Sequence, residues 1–494
     1  MTNMVQISAQ ASTEPSVRPA PGPYARPLRL MLIRVDAPEV IMPALEAPLG
    51  LLYLSAAVKR ELGSRVDVTI RDMRCRGQNE KSLERDLQEW KPDVVGFSAI
   101  SVEAARTAYW VDFVARNRPE ALRIVGGPYA TSSGVDVLTE TRAHVVFRGE
   151  GELTLSELLQ CLIEGRPYDK VPGIAARRED GETYLNGAST IVPDMNSLPM
   201  PDWAAIKISD YHVGSSMNLV NADPRYAPIM TSRGCPYDCI YCHQSMGQKM
   251  RYRDLDLVME EIRLLHDTYG IRELQIIDDI FNVNRKRVLE FCRRIEESGM
   301  KLRLCFPNAL RGDLLNEEVL HALKRAGTYM ITVAVESGSP RIQEMIKKDL
   351  DLDKVAKNIR YADSIGIITK GYFMMGFVTE TREEIERTID LAVELPLLQV
   401  GFFTVVPQKD TGLFDVTVEH APDFRYGDAP HYFQAAPTYT KAQGYDLPKL
   451  QRKAYMRFYL ASPRLLRMLW RFPRRGHFLY RFVLQGARMM AAAA

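Results

Sequence analysis

The chain has 494 residues, too many for a single hydrophobic core, so two or three domains are expected. Its 46% apolar and 26% charged residues describe a soluble globular protein, and a net charge of +2 excludes bulk attraction to nucleic acid. No run of 18 apolar residues exists, which excludes a membrane-spanning helix. Seven cysteines, three of them in one loop, argue against a disulfide framework and for a reducing, cytoplasmic compartment.

Residues 1–25 are rich in Ala, Ser and Pro and lack the charged start and apolar run of a signal peptide, so a disordered tail is expected. Leu28 to Val35 then predicts a strand and Pro48 to Leu62 an amphipathic helix. Further strands are predicted at Val66 to Ile70, Asp93 to Ser98, Leu122 to Gly127 and Ala143 to Phe147. Helices fall at Leu83 to Trp90, Glu103 to Arg116 and from Leu153. This alternation predicts a parallel, doubly wound sheet over 26–167. Such sheets bind ligands at the carboxyl ends of their strands, where Ser98, Ser101, Gly126, Gly127 and Gly149 gather.

The run Gly126-Gly-Pro-Tyr-Ala-Thr131, with Arg148-Gly-Glu-Gly-Glu152 after the next strand, resembles the cobalamin-binding domain fused to one large class of radical S-adenosylmethionine (SAM) enzymes. The resemblance implies a flavodoxin- or Rossmann-like cobalamin domain at 26–167. It places Ser98, Ser101, Gly126, Gly127, Pro128, Tyr129, Gly149, Glu150 and Gly151 around the nucleotide tail of the cofactor. Glycine suits such a site because a Cβ would collide with a tail running close to backbone. No His occurs between Met1 and Ala143, so the His that ligates cobalt in many cobalamin domains is absent and the lower cobalt face is expected to be free of His. The alternative is a flavodoxin-like sheet without ligand, whose glycines only turn the chain.

Residues 168–226 read as a connector, broken by Pro193, Pro199 and Pro201. Leu198-Pro-Met-Pro-Asp202 resembles the Pro-x-Pro-Asp segment of the same class. From residue 227 the βα pattern restarts, with strands predicted at Pro228 to Ser232, Leu274 to Ile277, Arg303 to Asn308, Tyr329 to Val335, Gly371 to Gly376 and Gln399 to Val406. Six units over 227–425 predict a partial (β/α)6 barrel with its reactive face at the strand C-termini.

The first of these strands leads into Cys235-Pro-Tyr-Asp-Cys239-Ile-Tyr-Cys242-His243. Soft thiolates suit iron–sulfur clusters or zinc. A complete four-iron site takes four Cys and this loop supplies three; the next, Cys292, falls in a helix-like segment. One iron would then be open to a small molecule. The C-x3-C-x2-C spacing resembles the cluster loop of radical SAM enzymes, and Tyr241 matches the aromatic before the last Cys. In that family the open iron takes the amino and carboxylate groups of SAM, and an electron from the cluster cleaves SAM to a 5′-deoxyadenosyl radical. The alternative is zinc held by the three Cys and His243, although zinc sites usually come as paired C-x2-C units and no such pair is present.

The remaining motifs end barrel strands. Asp278 and Asp279 resemble the family's acidic second-strand motif, which meets the ammonium of SAM; a cap on the helix near Arg285 is the alternative. Asn308 and Arg311 follow the third strand, and Arg311 could pair with the SAM carboxylate or be a surface arginine. Glu336-Ser337-Gly-Ser339 resembles the ribose-binding run, with a simple cap by Ser339 as the alternative. Gly371 to Gly376 resembles the glycine-rich fifth strand beside adenine. Val378-Thr379 and Pro407-Gln-Lys-Asp-Thr411 depart from the family's usual Pro-Gly and Pro-x-Pro-Gly-Thr.

After Asp446 the chain holds eleven Lys or Arg and no acid, with aromatic and Leu residues interleaved. A helical, basic region at 426–494 is expected. It either packs on the barrel or lies peripherally on the inner membrane face. Together the resemblances imply a cobalamin-dependent radical SAM enzyme with a [4Fe-4S] cluster, SAM and cobalamin. They imply a C-methyltransferase on an unactivated carbon, served by a flavodoxin- or ferredoxin-type electron donor and acting on a small-molecule or lipid-like substrate. The alternative within the enzyme class is cyclisation or rearrangement without methyl transfer; outside it stands a cobalamin-binding sensor. No substrate-contacting catalytic residue is readable.

Overall fold

The computed structural model describes residues 24, 26–36, 45–178, 181–212, 218, 221–424, 444–460, 463–481 and 483. All but Tyr24 of the expected N-terminal tail, 1–25, lies outside these, as do 426–443 and 484–494 of the basic region. The described residues of Met1–Pro38 and Pro48–Asp210 form one compact unit; those of Glu39–Ala47 and Tyr211–Ala494 form a second.

In the first unit, β1 (Leu28–Arg34), β2 (Val66–Asp72), β3 (Val94–Ser98), β4 (Leu122–Gly126) and β5 (Val145–Phe147) are parallel, in the order β2-β1-β3-β4-β5. That is the flavodoxin-like order, whose switch point lies between β1 and β3. Helices α1 (Leu49–Leu62), α2 (Glu80–Trp90), α3 (Ala104–Asn117), α4 (Pro128–Ser133), α5 (Asp136–Glu140) and α6 (Gly151–Ile163) connect the strands. Helices on both faces explain why β1, β3 and β4 are mostly apolar and read without strict alternation. The core gathers Met31, Ile33, Val95, Phe97, Trp110 and Val125.

Two elements come from the stretch read as a connector. β6 (Ile174–Arg177) pairs antiparallel with β5, and β7 (Thr183–Asn186) pairs antiparallel with β6. They cover an edge that a three-residue β5 would otherwise leave unpaired. Charged and glycine-rich surroundings hide these short strands in the sequence. Further on, Asp202 of the Pro-x-Pro-Asp segment accepts from Ser55 Oγ and Lys59 Nζ of α1, both at 2.6 Å.

The second unit is built on β8 (Tyr226–Ile229), β11 (Glu273–Ile276), β12 (Arg303–Leu310), β13 (Thr328–Glu336), β14 (Ile368–Met375) and β15 (Gln399–Thr404). All are parallel, in the order β15-β14-β13-β12-β11-β8. This is the expected six-stranded open barrel. A two-residue ladder of β9 (Ser232–Arg233) and β10 (Arg251–Tyr252) ties together the two ends of the cysteine loop.

Helices α7 (Leu255–Asp267), α8 (Arg285–Glu297), α9 (Glu317–Arg325), α10 (Pro340–Met345), α11 (Leu352–Ser364), α12 (Arg382–Glu394) and α13 (Gly412–His420) cover the outside. Side chains of Asp254, Asn284, Asn316, Ser339, Asp351, Thr381 and Thr411 cap all seven. Each cap is worth about 1 kcal/mol, and together they fix where a helix begins after each strand-end loop.

The basic region supplies α14 (Leu447–Leu460) and α15 (Arg464–Arg471). Met468, Phe472 and Phe478 pack on Cys305, Met330, Ile368 and Leu398 at the starts of the barrel strands, opposite the reactive end. Several cations are spent inward. Arg467 and Arg471 pair with Asp363, Lys453 and Arg457 with Glu386, and buried Arg464 donates to the carbonyls of Val393, Leu395 and Leu397. Among the described residues no helix is long and apolar enough to cross a membrane.

Candidate active site

The loop from Gly234 to Met250 rises from the C-terminal end of β8, and the chain anchors it at several points. Its entry is held by Asp278, at the end of β11. One carboxylate oxygen accepts from the Thr231 backbone N–H at 2.6 Å; the other accepts from the hydroxyls of Thr231 and Ser232, each at 2.6 Å. Burial pushes the Asp278 carboxyl up to about 6, opposed by these donors. Above that pH it is an acceptor-only carboxylate, as three donors require. Asp279 accepts from the Gly234 N–H at 2.9 Å.

Within the loop, Cys235 N–H donates to Gly247 O at 3.1 Å and Cys242 N–H to Cys239 O at 3.0 Å. Ile240 donates to Ile346 O and accepts from Leu413 N–H, so the residue after α10 and the first turn of α13 hold its middle. The Arg311 guanidinium lies 4.0 Å from the Tyr237 ring centroid, while pairing with Asp313 at 3.0 Å and donating to Asp349 O. Arg311 therefore buttresses the cysteine loop.

Tyr241 turns towards Glu336. Its hydroxyl donates to Glu336 Oε1 at 2.9 Å, and Lys348 Nζ reaches both that oxygen and the tyrosine oxygen at 3.2 Å. Glu336 ends β13 at φ 65°, a left-handed conformation unusual for a residue with a side chain. Such strain persists where the surroundings over-determine it, and it collects at ligand sites. Lys348 is a residue the sequence reading missed. Nothing local separates it from its neighbour Lys347; only the return of the chain from α10 brings it to Tyr241.

Three thiols on one loop suit a cluster better than a single ion. Among the described residues no three His, Cys, Asp or Glu side chains converge as one ion demands. Zinc needs four donors at about 2.0–2.3 Å, whereas a cluster spreads its thiolates over different irons. Burial pushes the Cys235 and Cys239 thiols above their ordinary range, while backbone N–H at Tyr237 and the Lys348 charge act in the opposite direction. Iron binding at these thiols must therefore release their protons.

The other residues singled out in the barrel each have partners of their own. Asn308 Nδ2 donates to Ile277 O at 2.8 Å, bracing the end of β11. Ser337 is fully buried and faces α12, with its Oγ 3.2 Å from Thr388 Oγ1. Ser339 caps α10 and donates to Glu384. Gly371 lies inside β14, and Gly376 donates its N–H to Glu380 Oε2 at 2.7 Å. The cap on α8 is Asn284, so Asp278 is not spent there.

In the first unit, Ser98, Gly126 and Gly127 meet at the C-terminal ends of β3 and β4. Gly127 has φ 90°, and a Cβ on it would stand 2.8 Å from Ala99 O and 3.1 Å from Ser98 Oγ. A Cβ on Gly126 would meet Phe147 Cβ at 3.7 Å and Phe97 O at 4.0 Å, both ordinary contacts. The bare backbone at Gly126 thus suits a cofactor tail lying over it. Pro128 opens α4, Tyr129 is buried and donates to Glu140 at 2.5 Å, and Ser101 begins a short 3-10 turn.

At Gly149, φ is 85° and the backbone that would meet a Cβ is the chain's own Thr190, with its nitrogen at 2.7 Å. Glu150 accepts from Val192 N–H at 2.7 Å, and Gly151 opens α6 against Leu54. His144 is buried at the N-terminal end of β5 against Arg123, at the opposite end of the sheet.

The family model for the radical SAM superfamily matches residues 229–392, and that for the B12 binding domain matches residues 43–159. An uncharacterized methyltransferase of Pyrococcus horikoshii is 30% identical over 427 residues, covering 85% of this chain and 89% of that one. The chain belongs to the B12-binding radical SAM enzymes. Its cofactors are accordingly a [4Fe-4S] cluster, SAM and cobalamin. The cytidylyl-2-hydroxyethylphosphonate methyltransferase of Streptomyces wedmorensis is 28% identical, over 74% of this chain and 77% of that one. Among solved structures, the radical SAM methyltransferase TsrM of Kitasatospora setae, with cobalamin and [4Fe-4S] cluster bound, superposes with a TM-score of 0.70. It is 16% identical, over 95% of this chain and 100% of that one, a likeness of fold.

Proposed function

We propose that this radical SAM enzyme transfers a methyl group to an unactivated carbon of a small molecule. The observation that carries this is one chain holding both a three-thiol loop tied through Tyr241 to Glu336 and Lys348, and a sheet whose β4 ends on the bare backbone of Gly126 and Gly127. When bound, the cluster supplies the electron that cleaves SAM, and cobalamin carries the methyl group. Glu336 and Lys348 are proposed to receive the ribose and carboxylate of SAM, Asp278 and Asp279 to hold the loop in register, and Gly126 to let the cobalamin tail lie on backbone.

The seven cysteines are all free thiols, in keeping with a cytoplasmic enzyme reduced by a flavodoxin- or ferredoxin-type donor.

Anaerobic turnover with the true substrate is expected to release 5′-deoxyadenosine and S-adenosylhomocysteine in near-equal amounts, measured by mass spectrometry. Deoxyadenosine without S-adenosylhomocysteine would replace methyl transfer by cyclisation or rearrangement. The glycines give a second check, on cobalamin. Gly127→Ala forces a Cβ against Ala99 O at positive φ and should cost about 2 kcal/mol of stability whatever binds there. Gly126→Ala should leave thermal melting nearly unchanged while weakening cobalamin uptake in an absorbance titration. Unchanged uptake would remove Gly126 from the cobalamin site.

A further inference from the structure

The C-terminal helices carry two apolar faces, and the barrel uses only one. Leu450, Ala454, Phe458, Met468, Phe472 and Phe478 are buried against it. Leu460, Leu466, Trp470, Leu479, Tyr480 and Val483 point away and stay 51–75% exposed. Of the thirteen exposed large apolar side chains among the described residues, seven fall between 456 and 483, so this face is not the ordinary scatter of a soluble surface.

Its charge is of one sign. The chain holds no Asp or Glu after Asp446. Arg464, Arg467 and Arg471 are turned inward, but Arg474 and Arg475 are exposed and make no ion pair among the described residues. Arg475 lies 5.3 Å from the ring centroid of Trp470, the most exposed of these apolar residues, and donates to its carbonyl. A tryptophan beside arginines on an apolar face matches the boundary layer of a bilayer, where the ring sits at headgroup level and the cations meet phosphate.

We infer that the outer face of α14, α15 and residues 472–481 and 483 docks the enzyme on an anionic phospholipid surface. Acidic headgroups complement the unpaired arginines, and the exposed Leu, Trp and Val side chains enter the layer beneath. This docking does not depend on which carbon the enzyme modifies.

The test is flotation of the full-length holoenzyme with vesicles. With phosphatidylglycerol–phosphatidylcholine vesicles at low salt the protein should float, with at least about tenfold less on pure phosphatidylcholine and release by salt. Leu466→Glu with Trp470→Glu should lower flotation at least about tenfold without shifting the thermal melt, because both side chains are solvent-exposed. Arg474→Glu with Arg475→Glu should abolish the preference for phosphatidylglycerol. Failure of the folded holoenzyme to float, or unchanged flotation of either double variant, would overturn the docking. So would a dimer in sedimentation velocity that Leu466→Glu with Trp470→Glu dissolves, which would give this face to a second copy.

Discussion

Replacing any one of Cys235, Cys239 and Cys242 by Ala is expected to abolish both the cluster and SAM cleavage. The anaerobically reconstituted parent should hold about four irons per chain. With three protein ligands the cluster has none to spare, because the fourth iron is needed for SAM. No described residue can substitute: the next cysteine, Cys292, is fully buried in α8 and faces the core with Val288, Phe291 and Ile295. Burial pushes its thiol up to about 12, so it is a protonated core residue. Cys292→Ala therefore serves as the control, costing about 1 kcal/mol of packing while keeping iron content and cleavage. Iron analysis and the visible sulfur-to-iron absorption band read the outcome. Stoichiometric zinc without that band in the parent would sink the cluster assignment.

The second large effect is expected at Asp278. Asp278→Ala leaves the Thr231 N–H and two hydroxyls without their acceptor in a site where the carboxyl is only 2% exposed. Two of the three donors can rotate towards each other, but the backbone N–H cannot. The loss should be about 3 kcal/mol, about a hundredfold in the population of the ordered cysteine loop. Cluster yield on reconstitution should fall sharply although all three cysteines remain. Asp278→Asn keeps one acceptor oxygen and should fall between. If Asp278→Ala retained full iron but lost SAM affinity in equilibrium dialysis, the residue would be a direct SAM ligand and not the anchor of the loop.

Much of the architecture is legible because it is periodic. The five parallel strands of the first sheet and the six of the barrel announce themselves as apolar runs separated by helical patterns, and burial on both faces leaves such runs few alternatives. β6 and β7 escape the same reading: a four-residue strand beside a glycine turn has too short a pattern, and only the open edge of β5 gives it a place. The cysteine triad is legible for a different reason. Its spacing is local, so eight residues suffice to state the chemistry.

Roles that depend on distant partners are not local. Asp278 and Arg311 read as residues for SAM, and what the sequence does not show is that Asp278 also holds the entry of the cysteine loop and that Arg311 also lies against Tyr237 and Asp313. Lys348 reads as one of two adjacent lysines, and only the path of the chain after α10 separates them. Gly149 reads as a cofactor glycine, and the sequence does not show that Thr190, forty-one residues later, also leaves no room for a Cβ there. The basic C-terminal region shows the division most clearly. Sequence by itself determined that its helices are amphipathic, cationic and free of acids. Which face turns inward was decided by the tertiary structure, because the floor of the barrel offers Met330, Ile368 and Leu398 to one apolar stripe and Asp363 to two arginines, and those partners lie too far along the chain for any local pattern to reveal.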